Sequence, residues 1–174
     1  MKKTEALKIV KKDGYELENL PANFRKDKEV VLESIKETGG YTLEYADDSL
    51  KKDKKFILEV IKKVPEALTF ADKSLKKSKK FILDAVKQGS DGDLLDFIDK
   101  KFKKDREVVL EAVKQDGNLL EYVAQSYKKN KEIVLIAVKQ NSNALRYAHK
   151  SLMKDKEIVL EAVKQDPHAL EDLE

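Results

Sequence analysis

Cysteine and tryptophan are absent from this 174-residue chain, histidine occurs twice, proline three times and glycine six times. Without cysteine there is no disulfide and no thiolate chemistry, and an oxidising compartment is not required. Long apolar runs are missing as well. No window approaches the roughly 20 apolar residues of a membrane span. The N-terminal MKKTEALKIVKKDG is interrupted by Lys8 and Lys11, so it lacks the unbroken core of a signal peptide. A soluble, cytoplasmic protein with no membrane association is expected. Neither sign of charge dominates: 36 Lys and Arg against 33 Asp and Glu leave +3. That balance argues against a charged tail or a uniformly basic nucleic-acid binder.

What the chain has in abundance is charge alternating with apolar residues, 40% and 41% of the sequence. The charged share exceeds the usual figure of about 25% and points to helices with solvated faces. A length of 174 residues suits one compact domain or one short repeat array. The order of residues favours the array. DREVVLEAVKQD at Asp105–Asp116 returns as DKEIVLEAVKQD at Asp155–Asp166. Lys2, Asp27, Asp53, Ser78, Asp105, Asn130 and Asp155 hold one place in a unit of about 25 residues. One extra residue at Gly39-Gly40 and two around residues 89–93 fall at the same point of the unit, where a loop belongs. The units are 2–26, 27–52, 53–77, 78–104, 105–129, 130–154 and a truncated 155–174, tiling 1–174 as a single repeat domain.

Columns recur through these units. One holds Leu7, Leu32, Leu58, Leu83, Leu110, Leu135 and Leu160; a second holds Leu17, Leu43, Leu68, Leu95, Leu120, Leu145 and Leu170. An aromatic column holds Tyr45, Phe70, Phe97, Tyr122 and Tyr147. In DREVVLEAVKQ, the spacing of Val108, Val109, Ala112 and Val113 makes a wide helical stripe, with Asp105 as N-cap. In NALRYAHKSLMK, Leu145, Ala148 and Leu152 predict a second helix. Each helix, about ten residues long, is marginal alone and stable when stacked. The expected fold is all-α: an α-solenoid of about seven 25-residue helix-turn-helix repeats, with a single globular bundle as the alternative. Polar Glu5 and Asn19 in the first unit and Asp172 in the last stand at otherwise apolar columns and suit terminal caps. The first leucine column is expected in the core, so that Leu110→Ala should cost about 2–5 kcal/mol.

These columns resemble the repeat known as domain of unknown function 4116, with units like DKEIVLEAVKQ followed by ALRYAHKSL. The resemblance covers essentially the whole chain and is clearest from Asp27 onward. Ser78 and Lys2 depart from the capping Asp, and Ser34 from the usual Ala. It implies helical repeats in tandem and carries no activity, so no catalytic residue is transferred. The period is also similar to leucine-rich-variant solenoids, whose units alternate an α-helix with a 3-10 helix, which leaves a partly 3-10 second helix open.

No catalytic constellation is visible, and no enzyme, cofactor or metal site is expected. His149 and His168 stand in solvent-type columns. The DGD at Asp91–Asp93 lacks the spaced ligands of a calcium loop and is read as an insertion. One feature is a candidate binding site. The unit junctions place Lys51, Lys52, Lys54, Lys55, Lys76, Lys77, Lys79, Lys80, Lys103 and Lys104 at equivalent positions. Stacked, they would form a basic ridge able to meet phosphates or an acidic partner. The plainer reading is that lysines offset helix dipoles beside the next capping Asp. With no aromatic residue interleaved, base stacking is unsupported. A scaffold that binds another protein is therefore expected first, through exposed positions such as Thr42, Asp72, Gln125 and Arg146, and binding of nucleic acid or another polyanion second.

Overall fold

A computed structural model of the chain describes residues 1–89 and 94–170; Asp91–Asp93 and Asp172 lie outside the described residues. The chain is all-helical among these residues and divides into two compact modules, Met1–Phe97 and Ile98–Glu174.

The first helix of each repeat forms as expected, over Lys3–Lys12, Lys28–Thr38, Lys54–Lys63, Lys79–Gln88, Arg106–Gln115, Lys131–Gln140 and Lys156–Gln165. The cap explains the start. Asp53 accepts from the backbone N–H of Lys55 at 3.0 Å and of Phe56 at 3.1 Å. Ser78 and Asn130 also cap, accepting from Phe81 at 3.3 Å and Ile133 at 3.1 Å. Asp53→Ala should lower stability by about 1 kcal/mol. Asp53→Asn, which keeps the cap, should cost much less. Urea denaturation separates the two.

The second half of each repeat is not one ten-residue helix. A 3-10 helix runs over Gly14–Asn19, Tyr41–Tyr45, Pro65–Phe70, Gly117–Tyr122 and Ser142–Tyr147. The backbone then turns extended at Leu20, Ala46, Ala71, Val123 and Ala148. A short helical turn follows in several repeats, as in Asp48–Lys52 and Lys73–Lys77. The reason is local. Asp47 and Asp72 accept from the N–H of Ser49 and Ser74 at 3.0 and 2.8 Å, restarting the helix with a new cap. Burial follows a spacing of three: Gly14, Leu17 and Leu20; Gly40, Leu43 and Ala46; Pro65, Leu68 and Ala71; Gly117, Leu120 and Val123; Ser142, Leu145 and Ala148. Three residues per turn eclipse side chains at i and i+3, so one face of each 3-10 helix goes into the core. The extra residue at Gly39-Gly40 is absorbed by φ of 63° and 91°, left-handed values that glycine adopts freely.

In the N-terminal module, neighbouring repeats are joined in three ways. Backbone N–H groups of Asp47 and Asp72 donate to the carbonyls of Arg25 and Lys51, one repeat earlier, at 2.9 and 3.0 Å. The first lysine of one helix pairs with the start of the next repeat's helix: Lys3 with Asp27 and Glu29 at 2.9 and 2.7 Å, Lys28 with Asp53 at 2.7 Å. Lys54, facing a serine cap in the next repeat, pairs instead with Asp84 in the middle of that helix. Ser34 marks the third joint, lying 2.8 Å from the Gly14 carbonyl and 2.6 Å from Thr42 Oγ1, so its departure from Ala serves a buried hydroxyl network.

The C-terminal module repeats the scheme. Ala124 and His149 donate to the carbonyls of Lys103 and Lys128 at 3.0 and 2.8 Å. Arg106 meets Glu132 at 2.8 Å, and Lys131 meets Asp155 and Glu157, both at 2.9 Å. Here a glutamine amide replaces the hydroxyls. Gln140 accepts from Gly117 N–H at 2.6 Å and donates to the Gln115 carbonyl at 3.1 Å. Gln165 donates to the Val138 carbonyl at 2.7 Å.

The first leucine column departs from expectation. Leu32, Leu58, Leu83, Leu110 and Leu135 are half-buried, and Leu160 is 57% exposed. The deep face belongs to residues such as Val108, Val109, Ala112 and Val113. Leu135 stands four residues after Lys131 and so shares its flank. Lys131 reaches the next repeat, hence that flank faces the neighbour rather than the core. Leucine recurs there because, within each module, helices of neighbouring repeats lie side by side along that flank.

The paired caps also set a pH dependence. The Lys28 ammonium holds the Asp53 carboxyl below its ordinary pKa, and Lys131 does the same for Asp155. A depressed folded pKa gives stability that is present above the unfolded value of about 4 and lost as pH falls through the folded value. Acid titration followed by circular dichroism should show the Asp53→Asn, Asp155→Asn double variant losing less stability than the parent below about pH 4.

Candidate interaction surface

The ten junction lysines do not share one environment. In the N-terminal module, Lys51 and Lys76 are half-buried. Lys51 lies 3.5 Å from Asp48, and Lys76 donates to the Thr69 carbonyl, with burial pushing its ammonium pKa down. Lys54 is committed to Asp84, whose carboxyl it holds low. Lys52, Lys55, Lys77, Lys79 and Lys80 are exposed. In the C-terminal module, Lys104 is exposed while half-buried Lys103 places its ammonium 6.0 Å from the Tyr122 ring centroid. One aromatic ring accompanies this lysine. The junction thus carries inner lysines, spent on structure, and outer ones facing solvent.

The scaffold positions also divide. Thr42 is not on the surface: it is fully buried, within the hydroxyl network of Ser34 and Thr38. Gln125 and Arg146 are exposed, and Asp72 is a half-buried cap. His149 is a cap as well. Its Nδ1 accepts from Ser151 N–H at 3.3 Å, standing where Asp47 and Asp72 stand in other repeats. No helix among the described residues is long and apolar enough to cross a membrane.

The surface that sequence reasoning missed follows from the three-residue turn. With Leu17, Leu43 and Leu68 buried, the face two residues earlier and one residue later must look outward. It carries exposed Tyr15 and Glu18 in the first 3-10 helix, exposed Tyr41 and Glu44 in the second, half-buried Glu66 and exposed Thr69 in the third. Tyr15 and Tyr41 are 52% and 55% exposed. The aromatic column lies beside this face and is not deep core: Tyr45 and Phe70 are half-buried, and Phe97 is 39% exposed. Tyr41 packs edge-on against Phe70 with ring centroids 6.0 Å apart. The charge of Glu18 first, then burial and Glu44, raises the Tyr45 phenol pKa, so the rings and carboxylates adjoin. In the C-terminal module the equivalent positions hold half-buried Asn118 and exposed Glu121, then exposed Asn143 and Arg146.

The model for the domain of unknown function DUF4116 matches residues 6–51, 53–103, 78–128 and 130–174. Neither a curated protein nor a solved structure matches the chain.

Proposed function

Since this chain belongs to the DUF4116 family, we propose that its tandem repeats stack as an α-solenoid of about seven units and act as a non-enzymatic scaffold that binds another protein. One observation carries this reading. The backbone contacts and most of the basic residues that join repeats recur within each module, whereas the second position of the 3-10 helices differs: exposed Tyr15, Tyr41 and Asn143, half-buried Glu66 and Asn118. An unvarying frame with a varied exposed face is how stacked repeats present an extended binding surface. The cysteine-free composition fits work in the cytoplasm. The test is affinity capture with the intact chain and with a Glu121→Arg, Asn143→Arg variant. Recovery of a defined partner by the parent and its loss from the folded variant supports the scaffold. No partner, or one held equally by the parent, by this variant and by a Tyr15→Ala, Tyr41→Ala variant, refutes it.

Polyanion binding is the second reading, favoured by the outer lysines and by Lys103 against Tyr122. Counterion release makes such binding strongest at low salt. Titration with labelled oligonucleotide should then give affinity falling steeply with salt, and no binding at low salt eliminates the reading.

A further inference from the structure

The outward face of the N-terminal module has a chemistry opposite to the rest of the chain. Lysine and arginine outnumber acids overall, 36 to 33, yet the exposed positions of its first two 3-10 helices are tyrosine and glutamate. The arrangement is repeated: Tyr15 and Glu18 are three residues apart, as are Tyr41 and Glu44, so in each segment ring and carboxylate eclipse on one side. Among the described residues, Glu18 and Glu44 have no lysine, arginine or histidine within ion-pair distance, whereas the acids at the starts of the helices, Asp27, Glu29, Asp47 and Asp53, each have one. The rings are not buried by their own fold, since Tyr15 and Tyr41 each keep about half their surface in water. Phe70 continues the aromatic strip by its edge contact with Tyr41.

From this juxtaposition we infer that the N-terminal module docks a lysine- and arginine-rich segment of a partner protein, its cations seated over Tyr15 and Tyr41 and paired with Glu18 and Glu44. A cation gains from the negative face of an exposed ring, and gains more when a carboxylate flanks it. Arginine suits the site best, because its planar group stacks on a tyrosine while its fork reaches the acid. The third segment, with half-buried Glu66 and exposed Thr69 at the equivalent positions, lacks the ring and marks the end of the strip. The inference deepens the scaffold reading and rests on it.

The probe is fluorescein-labelled nona-arginine, titrated with the intact protein by fluorescence anisotropy, with nona-glutamate as control. The protein's positive net charge works against nona-arginine, so binding reports a local site. Saturable binding at low salt is expected. The Tyr15→Ala, Tyr41→Ala variant should weaken it about tenfold, two cation–π contacts' worth. Glu18→Gln, Glu44→Gln should weaken it by a similar factor and flatten its salt dependence. Tyr15→Phe, Tyr41→Phe keeps both rings and should bind like the parent, which guards against a folding artefact. No binding at low salt, or binding unchanged in both the alanine and glutamine variants, overturns the inference. Nona-glutamate bound in place of nona-arginine also overturns it and points to the lysines. If nona-arginine fails while Glu121 and Asn143 substitutions still abolish partner capture, the scaffold survives without this site.

Discussion

Leu120→Ala should cost about 2–5 kcal/mol, whereas Leu110→Ala, ten residues earlier, should cost roughly 1–2 kcal/mol. The two leucines belong to columns that recur with equal strictness, so the sequence alone ranks them alike. Their surroundings differ. Leu120 is fully buried on the inward face of its 3-10 helix, as are Leu17, Leu43, Leu68 and Leu145 in their own segments. Truncating it leaves a cavity that close-packed neighbours cannot collapse into. Leu110 is only partly buried, and its truncation removes contact on one flank only. Urea denaturation of both variants decides the matter. Equal losses would mean that the first leucine column is core after all.

Gly117→Ala is the second large effect, with an expected loss of about 1–3 kcal/mol or more for forced overpacking. The constraint is contact with the neighbouring helix, since this glycine's φ is not in the left-handed region. A Cβ built at residue 117 would sit 2.2 Å from the Ala137 carbonyl oxygen and 3.0 Å from its carbon, inside any van der Waals limit. The obstacle is backbone of the next repeat, so it cannot swing aside like a side chain. Making room means drawing the helix Lys131–Gln140 away, which pulls Gln140 off the Gly117 N–H it holds at 2.6 Å. Thermal unfolding should show a lower midpoint. Hydrogen exchange should rise at the Gly117 N–H before the rest of the C-terminal module. An unchanged midpoint would show that the joint has slack.

The first helices were legible in the sequence because their signals are local: an Asp or its substitute at the cap, then apolar residues at helical spacing. Even Ser78 and Asn130, which break the Asp rule, cap as small polar residues should. The second halves misled for a definite reason. Leu145, Ala148 and Leu152 fit an α-helix at i, i+3 and i+7, but the first two equally fit a three-residue turn, and the extended break at Ala148 decides between them. The overlooked signal was Asp-x-Ser at Asp47–Ser49 and Asp72–Ser74, a fresh cap in mid-segment. Thr42 was misplaced because a threonine on a supposed α-helix face looks solvent-bound; its partner, Ser34, lies in a different element. The tyrosine and glutamate face stayed hidden for the same cause, since Tyr15 and Glu18 share a side only once the turn is known to hold three residues.

That turn gives each 3-10 helix something like a reading frame. Its three faces have fixed duties: one inward, one half-sheltered and aromatic, one outward. Inserting a single residue after Leu43 would advance every later side chain by a third of a turn and exchange those duties in order. Ala46 would leave the core, and the half-buried Tyr45 would be driven into its place. The extra residue of this repeat stands instead at Gly39-Gly40, ahead of Leu43, where two left-handed glycines take it up and the phase is unaffected. Loop grafts should therefore be placed before the segment, and insertions within it should be tolerated only in threes.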